Sequence, residues 1–176
     1  MLETQARYCR YNNWPPDMKS VSVPDSIPES VAVRLDQTRS KGARVHFAIM
    51  NEPYLGALVS GEKTVESRFS RNRIDPWMRV GEDDLVLFAR SGGVIAGSFF
   101  VKQAMYFDLS MDRVSKLYDY SSQICSWLSP TFWEERAAAR FATLLSVADV
   151  ETCEEFRLRK RDQRAWITFD WPDGLF

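Results

Sequence analysis

The segment SGEKTVESRF, residues 60–69, combines several charged side chains with the alternation of a β-strand. Successive side chains of a strand point to opposite faces, so Glu66 and Arg68 share one face. Lys63 lies at the turn before the strand, from which it can join them. Two interpretations are open: a solvated outer face with an ion pair worth at most about 1 kcal/mol, or a strand that lines a polar pocket.

Regular elements are predicted on both sides of this strand. The run VHFAIM at 45–50 predicts a strand, and Pro53 followed by YLGALVS predicts a short helix that ends at Gly61. LVLFAR and VIAGSFFVKQAMYF, joined by SGG at 91–93, predict a β-hairpin.

Helices are predicted in the second half of the chain, between further strands. Apolar spacing predicts one or two amphipathic helices over 110–128, and Ser129 with Pro130 predicts the start of another. FATLLSVADVE and RAWITFDW predict the last two strands. Mostly antiparallel strands with few, unevenly placed helices indicate an α+β domain built around a curled sheet or small barrel.

The composition limits the classes of function. The chain has 176 residues, of which 45% are hydrophobic and 13% aromatic, which suits one folded domain. Lys and Arg total 23 against 24 Asp and Glu, so the net charge is -1. This balance argues against a protein that coats long duplexes, and it permits a small ligand or a few nucleotides in a local basic pocket.

Cysteine and histidine usage predicts no metal site and no cofactor. Cys9, Cys125 and Cys153 form no CxxC pattern, and His46, the only histidine, is interpreted as a strand residue. No apolar run resembles a secretion signal or approaches the roughly 20 residues of a membrane span. We therefore expect a soluble, cytoplasmic protein without a membrane partner.

Residues 1–43 are predicted to form an extended, irregular N-terminal arm, followed by one domain over residues 44–176. Four of the eight prolines lie in this arm, together with polar runs such as RLDQTRSKG. Its aromatic side chains are expected to dock on the domain or on a second subunit: Tyr8, Tyr11 and Trp14. The arm is therefore also a candidate surface for self-association or for a protein partner.

The residues Gly61, Lys63, Glu66 and Arg68 spell GxKxxExR between a helix and a strand. In this setting they resemble the signature of the ASCH domain family, and GEDDLVLFARSGG, FWEERAAARFATLL and KRDQRAWITF are similar to later segments of its members. The resemblance covers about residues 46–171. It implies a PUA-like β-barrel with flanking helices and a cleft beside the motif strand, which in relatives handles RNA, nucleotides or modified nucleosides.

The resemblance implies that this chain binds RNA or a nucleotide-like ligand in a cationic cleft, whose charge suits phosphates and polar base edges. The predicted ligand-binding residues are Lys63, Glu66, Arg68, Arg71, Arg73, Ser91, Tyr54 and Trp133. The aromatic rings of this set, with Trp77, are candidates for base stacking, and plain core packing is the alternative for each. The SGG turn at 91–93 and the basic run EFRLRKRDQR at 155–164 are further candidate phosphate contacts; a plain hairpin turn and a solvated connection are the alternatives.

An enzyme is the alternative interpretation, with Lys63 and Glu66 as catalytic groups of an amidohydrolase or a ribonuclease. One branch of the family hydrolyses N(4)-acetylcytidine with a lysine, a threonine three residues later and a distant glutamate. Lys63 matches the lysine, Glu66 occupies the threonine position, and Glu134 and Glu135 are candidates for the distant glutamate. Because Glu66 stabilises the charged form of Lys63, binding is favoured over base catalysis. A protein-interaction module is a third alternative.

Overall fold

The computed structural model describes residues 8–10, 14, 21–22, 24, 26–110, 113–160 and 164–169. The strands formed by these residues are β1 (Tyr8–Arg10), β2 (Val21–Ser22), β3 (Ser26–Pro28), β4 (Val45–Ile49), β5 (Val65–Ser70), β6 (Leu85–Arg90), β7 (Val94–Asp108), β8 (Phe141–Arg157), β9 (Arg159–Lys160) and β10 (Trp166–Phe169). The helices are α1 (Glu29–Ser40), α2 (Tyr54–Val59), α3 (Ser121–Ile124) and α4 (Phe132–Arg136), with 3-10 helices at Val114–Tyr120 and Ser126–Leu128.

Six strands form one curled sheet in the order β10-β4-β6-β7-β8-β5. Only β4 and β6 are parallel neighbours within it. β7 and β8 have 15 and 17 residues, and register shifts along their pairing bend the ladder. At Gly97 a Cβ atom would collide with the carbonyl oxygen of Glu151, so this close approach of the strands requires glycine. The predicted α+β class with a mostly antiparallel, curled sheet is confirmed.

The two faces of the sheet are covered by different elements. Leu85 and Leu87 of β6 pack in the cluster that includes α1, whereas Val86 and Phe88 pack in the cluster that includes α2. A third cluster packs α3, α4 and the 3-10 helix at Val114–Tyr120 against β5 and β8. Because side chains alternate along a strand, the central strands β4, β6 and β7 contribute to both layers.

Helix α1 corrects the prediction that residues 1–43 form an extended arm throughout. It spans Glu29–Ser40, and Val31 and Leu35 are 1% and 0% exposed. The prolines that suggested an extended arm end at Pro28, which precedes the helix, so composition averaged over the segment hid the helical spacing after it. The division at residue 43 itself stays a prediction.

The aromatic residues of the arm have different environments. Trp14 and Cys9 pack against the hydrophobic cluster that contains α1. Tyr8 is 42% exposed, and its hydroxyl donates a hydrogen bond of 3.4 Å to the carbonyl of Glu155. Tyr11 lies outside the described residues. The expected docking is therefore observed for Trp14, and the exposed Tyr8 is hydrogen-bonded to β8 through its hydroxyl.

The segment between β7 and β8 also differs from its prediction. The helices expected over 110–128 are two 3-10 helices and the one-turn α3, interrupted at Cys125, whose left-handed φ of 60° ends α3. The helix expected to start after Ser129 and Pro130 begins at Phe132. The amide of Phe132 donates to the carbonyl of Ser129, so a turn precedes the helix. Among the described residues, no helix is long and apolar enough to cross a membrane.

Candidate functional site

The motif strand is β5, at one edge of the curled sheet. It begins at Val65, and its one neighbour among the described strands is β8. Gly61, with a φ of 79°, ends α2 and turns the chain so that Lys63 precedes the strand, with its amide bonded to the carbonyl of Ala57. Glu66 pairs with Leu145 of β8, which belongs to the same cluster as α2. The charged face of β5 therefore points toward the inside of the curled sheet.

Lys63, Glu66 and Arg68 form a charged triad at this position. The ammonium of Lys63 donates to Oε2 of Glu66, and Nε of Arg68 lies 2.7 Å from Oε1. This second contact is an ion pair. The side chains of Lys63 and Glu66 are only 3% and 7% exposed. The alternative of a solvated outer face is therefore wrong.

Lys63 and Arg68 stabilise the charged form of Glu66. Burial alone raises the pKa of this carboxyl, but Lys63 and then Arg68 more than offset that effect, and the pKa lies below its usual value. Glu66 is therefore an anion inside the protein, neutralised by two neighbours. A buried pair of this kind requires both partners, because removal of one leaves an uncompensated charge.

Arg68 connects β5 to the strands on the other side of the curled sheet. Its Nη2 donates a hydrogen bond of 2.9 Å to the carbonyl of Ile49, at the end of β4. Its guanidinium also lies 5.0 Å from the ring centre of Trp166 in β10, a cation–π contact. Arg68 is therefore held by an anion, a carbonyl and an indole, which belong to three different elements.

A buried hydrogen-bond chain holds Trp166 in turn, and sequence reasoning missed it. The indole N–H of Trp166 donates to Nδ1 of His46 at 3.3 Å, so the proton of His46 lies on Nε2, which is 3.0 Å from Asp84. Asp84 also accepts from the amides of Arg44 and Gly81. His46 is a fully buried residue of β4, which confirms its interpretation as a strand residue. No signal in the sequence links residues 46, 84 and 166.

An open cleft of about 480 Å³ lies between β5 and the end of α4. We call it the β5 cleft; its lining residues are Ser67, Arg68, Phe69, Ser70, Arg71, Glu135, Arg136, Ala138 and Ala139. Arg71 is exposed and has no ion-pair partner among the described residues. Arg136 lies 3.1 Å from Glu135 and stacks over the ring of Phe132 at 3.7 Å. The structure thus brings two of the predicted arginines, Arg68 and Arg71, to one cleft.

Other predicted residues lie away from this cleft. Arg73 is exposed, 3.8 Å from Asp108, and stacks over Phe141. The hydroxyl of Ser91 donates to the side-chain oxygen of Asn51 at 3.2 Å, beside the hairpin turn. Trp77 packs on Tyr106 and Phe141, so the core-packing alternative describes its observed environment.

Tyr54 and Trp133 belong to the aromatic layer beside α4. The ring of Tyr54 lies 6.0 Å from Phe132, its hydroxyl is buried without a hydrogen bond among the described residues, and burial raises its pKa. Trp133 contacts Phe132, Phe69 and the exposed ring of Tyr118. Trp133 is therefore adjacent to the β5 cleft, through Phe69.

The remaining candidates are not part of one site. Glu134 and Glu135 are exposed, and Glu135 pairs with Arg136 and accepts from Thr131. In the basic run at 155–164, Arg157 donates to the carbonyl of Gly92, and residues 161–163 lie outside the described part of the chain. The described residues contain no group of three or more potential metal ligands from His, Cys, Asp and Glu.

Comparison with known proteins defines the family. The ASCH domain model matches residues 49–166, more than half of the chain, and this protein belongs to the ASCH domain family. A solved ASCH protein from Zymomonas mobilis shares 17% identity, over 64% of this chain and 73% of that chain, with a TM-score of 0.49. The hypothetical protein PH0355 shares 13% identity, over 60% of this chain and 97% of its own, with a TM-score of 0.40. No curated protein matches the chain.

Proposed function

We propose that this ASCH domain binds RNA or a nucleotide-like ligand in the β5 cleft. Charge is the observation that carries the proposal: Arg68, Arg71 and Arg136 line the cleft, and Glu135 is the one carboxylate among its described lining residues. Guanidinium groups bind phosphates through charge-assisted and frequently bidentate hydrogen bonds. A local cationic cleft on a chain with a net charge of -1 suits a few phosphates and not a long duplex.

The residues of the site have two kinds of role. Arg71 is exposed and has no ion-pair partner in the described part of the chain, so it is the proposed phosphate ligand. Lys63 and Glu66 are buried, and their proposed role is to hold Arg68 at the cleft rather than to touch the ligand. The sequence predicted that Lys63, Glu66 and Arg68 all contact the ligand directly. In the present proposal, Lys63 and Glu66 act only through Arg68.

The backbone of β5 offers further contacts. Because β5 is an edge strand, alternate N–H and C=O groups point away from β8. Backbone N–H groups are common donors to phosphate oxygens, and carbonyls accept from ribose hydroxyls and base amines. These groups supply polar contacts that do not depend on the identity of the base.

The hydrolase alternative has less support from the geometry. A lysine that acts as a base must release its proton, whereas the ammonium of Lys63 donates to a buried carboxylate. Glu66, which occupies the position of the threonine of the amidohydrolase branch, accepts that hydrogen bond and contacts Arg68 as well. We therefore propose binding as the function of the site, and product formation from RNA would contradict it.

The test is a binding titration with fluorescein-labelled oligouridylate, followed by fluorescence anisotropy, with unlabelled uridine monophosphate as competitor. Arg71→Ala should weaken binding about ten- to hundred-fold, because a hydrogen bond to a charged group contributes roughly 1.5–3 kcal/mol. Arg90→Ala is the control, since Arg90 is also exposed but lies outside the cleft and pairs with Glu155. The proposal fails if the wild-type protein binds neither probe, or if both variants behave alike.

A further inference from the structure

We propose that the β5 cleft continues onto an aromatic platform formed by Tyr118 and Trp133, and that the ligand is a single-stranded oligonucleotide with at least one base stacked there. This inference rests on the proposed function and narrows it from nucleotides in general to a strand longer than one nucleotide. It assigns a role to Tyr118, which the sequence did not single out.

Ring contacts connect the platform to the cleft. Phe69 lines the cleft, and its ring meets Trp133 edge-on at 6.3 Å. Trp133 in turn lies 4.8 Å from Tyr118, at an interplanar angle of 48°. Phe132, which is itself buried, contacts Trp133 edge-on at 4.9 Å. The platform is therefore a continuation of the cleft wall and not a separate patch.

The exposure of Tyr118 is the second observation. The 3-10 helix at Val114–Tyr120 buries Leu117 completely and leaves Tyr118 49% exposed. An aromatic ring that is half exposed and held by a neighbouring ring offers a stacking surface at little conformational cost. Every base has a π-face, so stacking on such rings tolerates any sequence.

The distribution of charged residues predicts that the phosphates of the ligand lie in the cleft and its bases on the platform. Arg71 and Arg136 are in the cleft, whereas Asp119 and Glu134 adjoin the platform residues in sequence and are exposed. Phosphates are attracted to the arginines and repelled by the carboxylates, so the neutral faces of the bases suit the platform. Bases of a duplex are stacked on each other, and only a single strand can offer a base to the rings.

The experiment compares a labelled oligouridylate hexamer with uridine monophosphate, in the wild-type protein, in Arg71→Ala and in three further variants. Tyr118→Ala should weaken the hexamer about five- to hundred-fold, the range expected for loss of one base–aromatic stack, and should leave the monophosphate unchanged. Tyr118→Phe keeps the ring and should bind like the wild type. Trp127→Ala is the matched control, because Trp127 is 52% exposed and makes no ring contact among the described residues.

The outcomes separate this inference from the proposed function. If Tyr118→Ala binds the hexamer normally while Arg71→Ala does not, the platform is wrong and the cleft stands. If Tyr118→Ala weakens the hexamer and the monophosphate equally, the extension beyond one nucleotide is wrong. If the wild-type protein binds neither probe, both proposals fail. A matching oligodeoxyuridylate tests whether the ribose contributes, and thermal melts confirm that the variants are folded.

Discussion

Glu66 joins two cations that come from different parts of the motif, and its role differs from that of a typical surface carboxylate. It accepts a hydrogen bond from Lys63 and lies 2.7 Å from Nε of Arg68, in a place that is 5% exposed. Glu135, four residues into the α4 region, pairs with Arg136 in a solvated position instead. A glutamate–arginine ion pair is therefore largely buried at Glu66 and largely exposed to solvent at Glu135.

Glu66→Gln should destabilise the protein by about 3–5 kcal/mol, because it leaves the buried Lys63 and the partly buried Arg68 without their counter-charge. Urea denaturation measures the change in the free energy of unfolding. Glu135→Gln is the matched control and should have almost no effect, since exposed ion pairs contribute little. Equal effects of the two substitutions would contradict the buried triad.

The wild-type protein and Glu66→Gln together also test the ionisation of Glu66. Its folded pKa lies below the reference value of 4.5, so its charged form contributes stability that is fully present above pH 4.5. The contribution is lost as the pH falls from there through the folded pKa. The stability difference between wild type and Glu66→Gln should therefore shrink on acidification, which urea titrations between about pH 6 and pH 3 measure. A difference independent of pH would contradict a buried anion.

At the scale of elements, α1 is part of the hydrophobic core and not only of an arm. Arg34 fixes it to the sheet, with Nη1 2.8 Å from Oε2 of Glu151 and the guanidinium stacked over Phe100 at 4.5 Å. Leu35 packs in the cluster that includes β4 and β6. The helix thus covers a sheet face that would otherwise expose apolar side chains.

Leu35→Ala should destabilise the protein by about 2–5 kcal/mol, since it removes a fully buried side chain and leaves a cavity. Val33→Ala in the same helix is the control, because Val33 is 49% exposed and surface substitutions change stability by about 0.5 kcal/mol or less. Thermal and urea unfolding measure both. Similar, small effects would mean that α1 is not needed for the stability of the core.

At the scale of the whole molecule, positive and negative charges nearly cancel. The arginines proposed to bind the ligand are confined to the β5 cleft. A ligand in the β5 cleft meets few arginines, so binding of single-stranded RNA should release on the order of two to four ions. The slope of log K against log salt concentration, measured by anisotropy, gives that number. A slope as steep as that of a protein that coats duplexes would contradict a small cleft.

The strand and helix elements could be predicted in large part, because they depend on local spacing. The α2–β5 unit, the hairpin at 91–93 and the strands β8 and β10 were all expected from alternation, Pro53 and Gly61, whereas the short β9 was not. Prediction failed in two places: the prolines up to Pro28 hid α1, and the helix predicted over TFWEERAAAR, residues 131–140, ends already at Arg136. The sequence predicted which residues are candidates for the site, but not which of them lie together in space.

The sequence by itself determined the family, the position of the motif between a helix and a strand, and the pairing of charges along one face of that strand. These properties follow from residues within a few positions of each other. Only the tertiary structure decided that this face is buried and that Arg68 reaches Ile49 and Trp166. It also separated Arg71, in the cleft, from Arg73 and Ser91 outside it. The physical reason is that burial and cation–π contacts depend on side chains from distant strands, which meet only when the sheet curls.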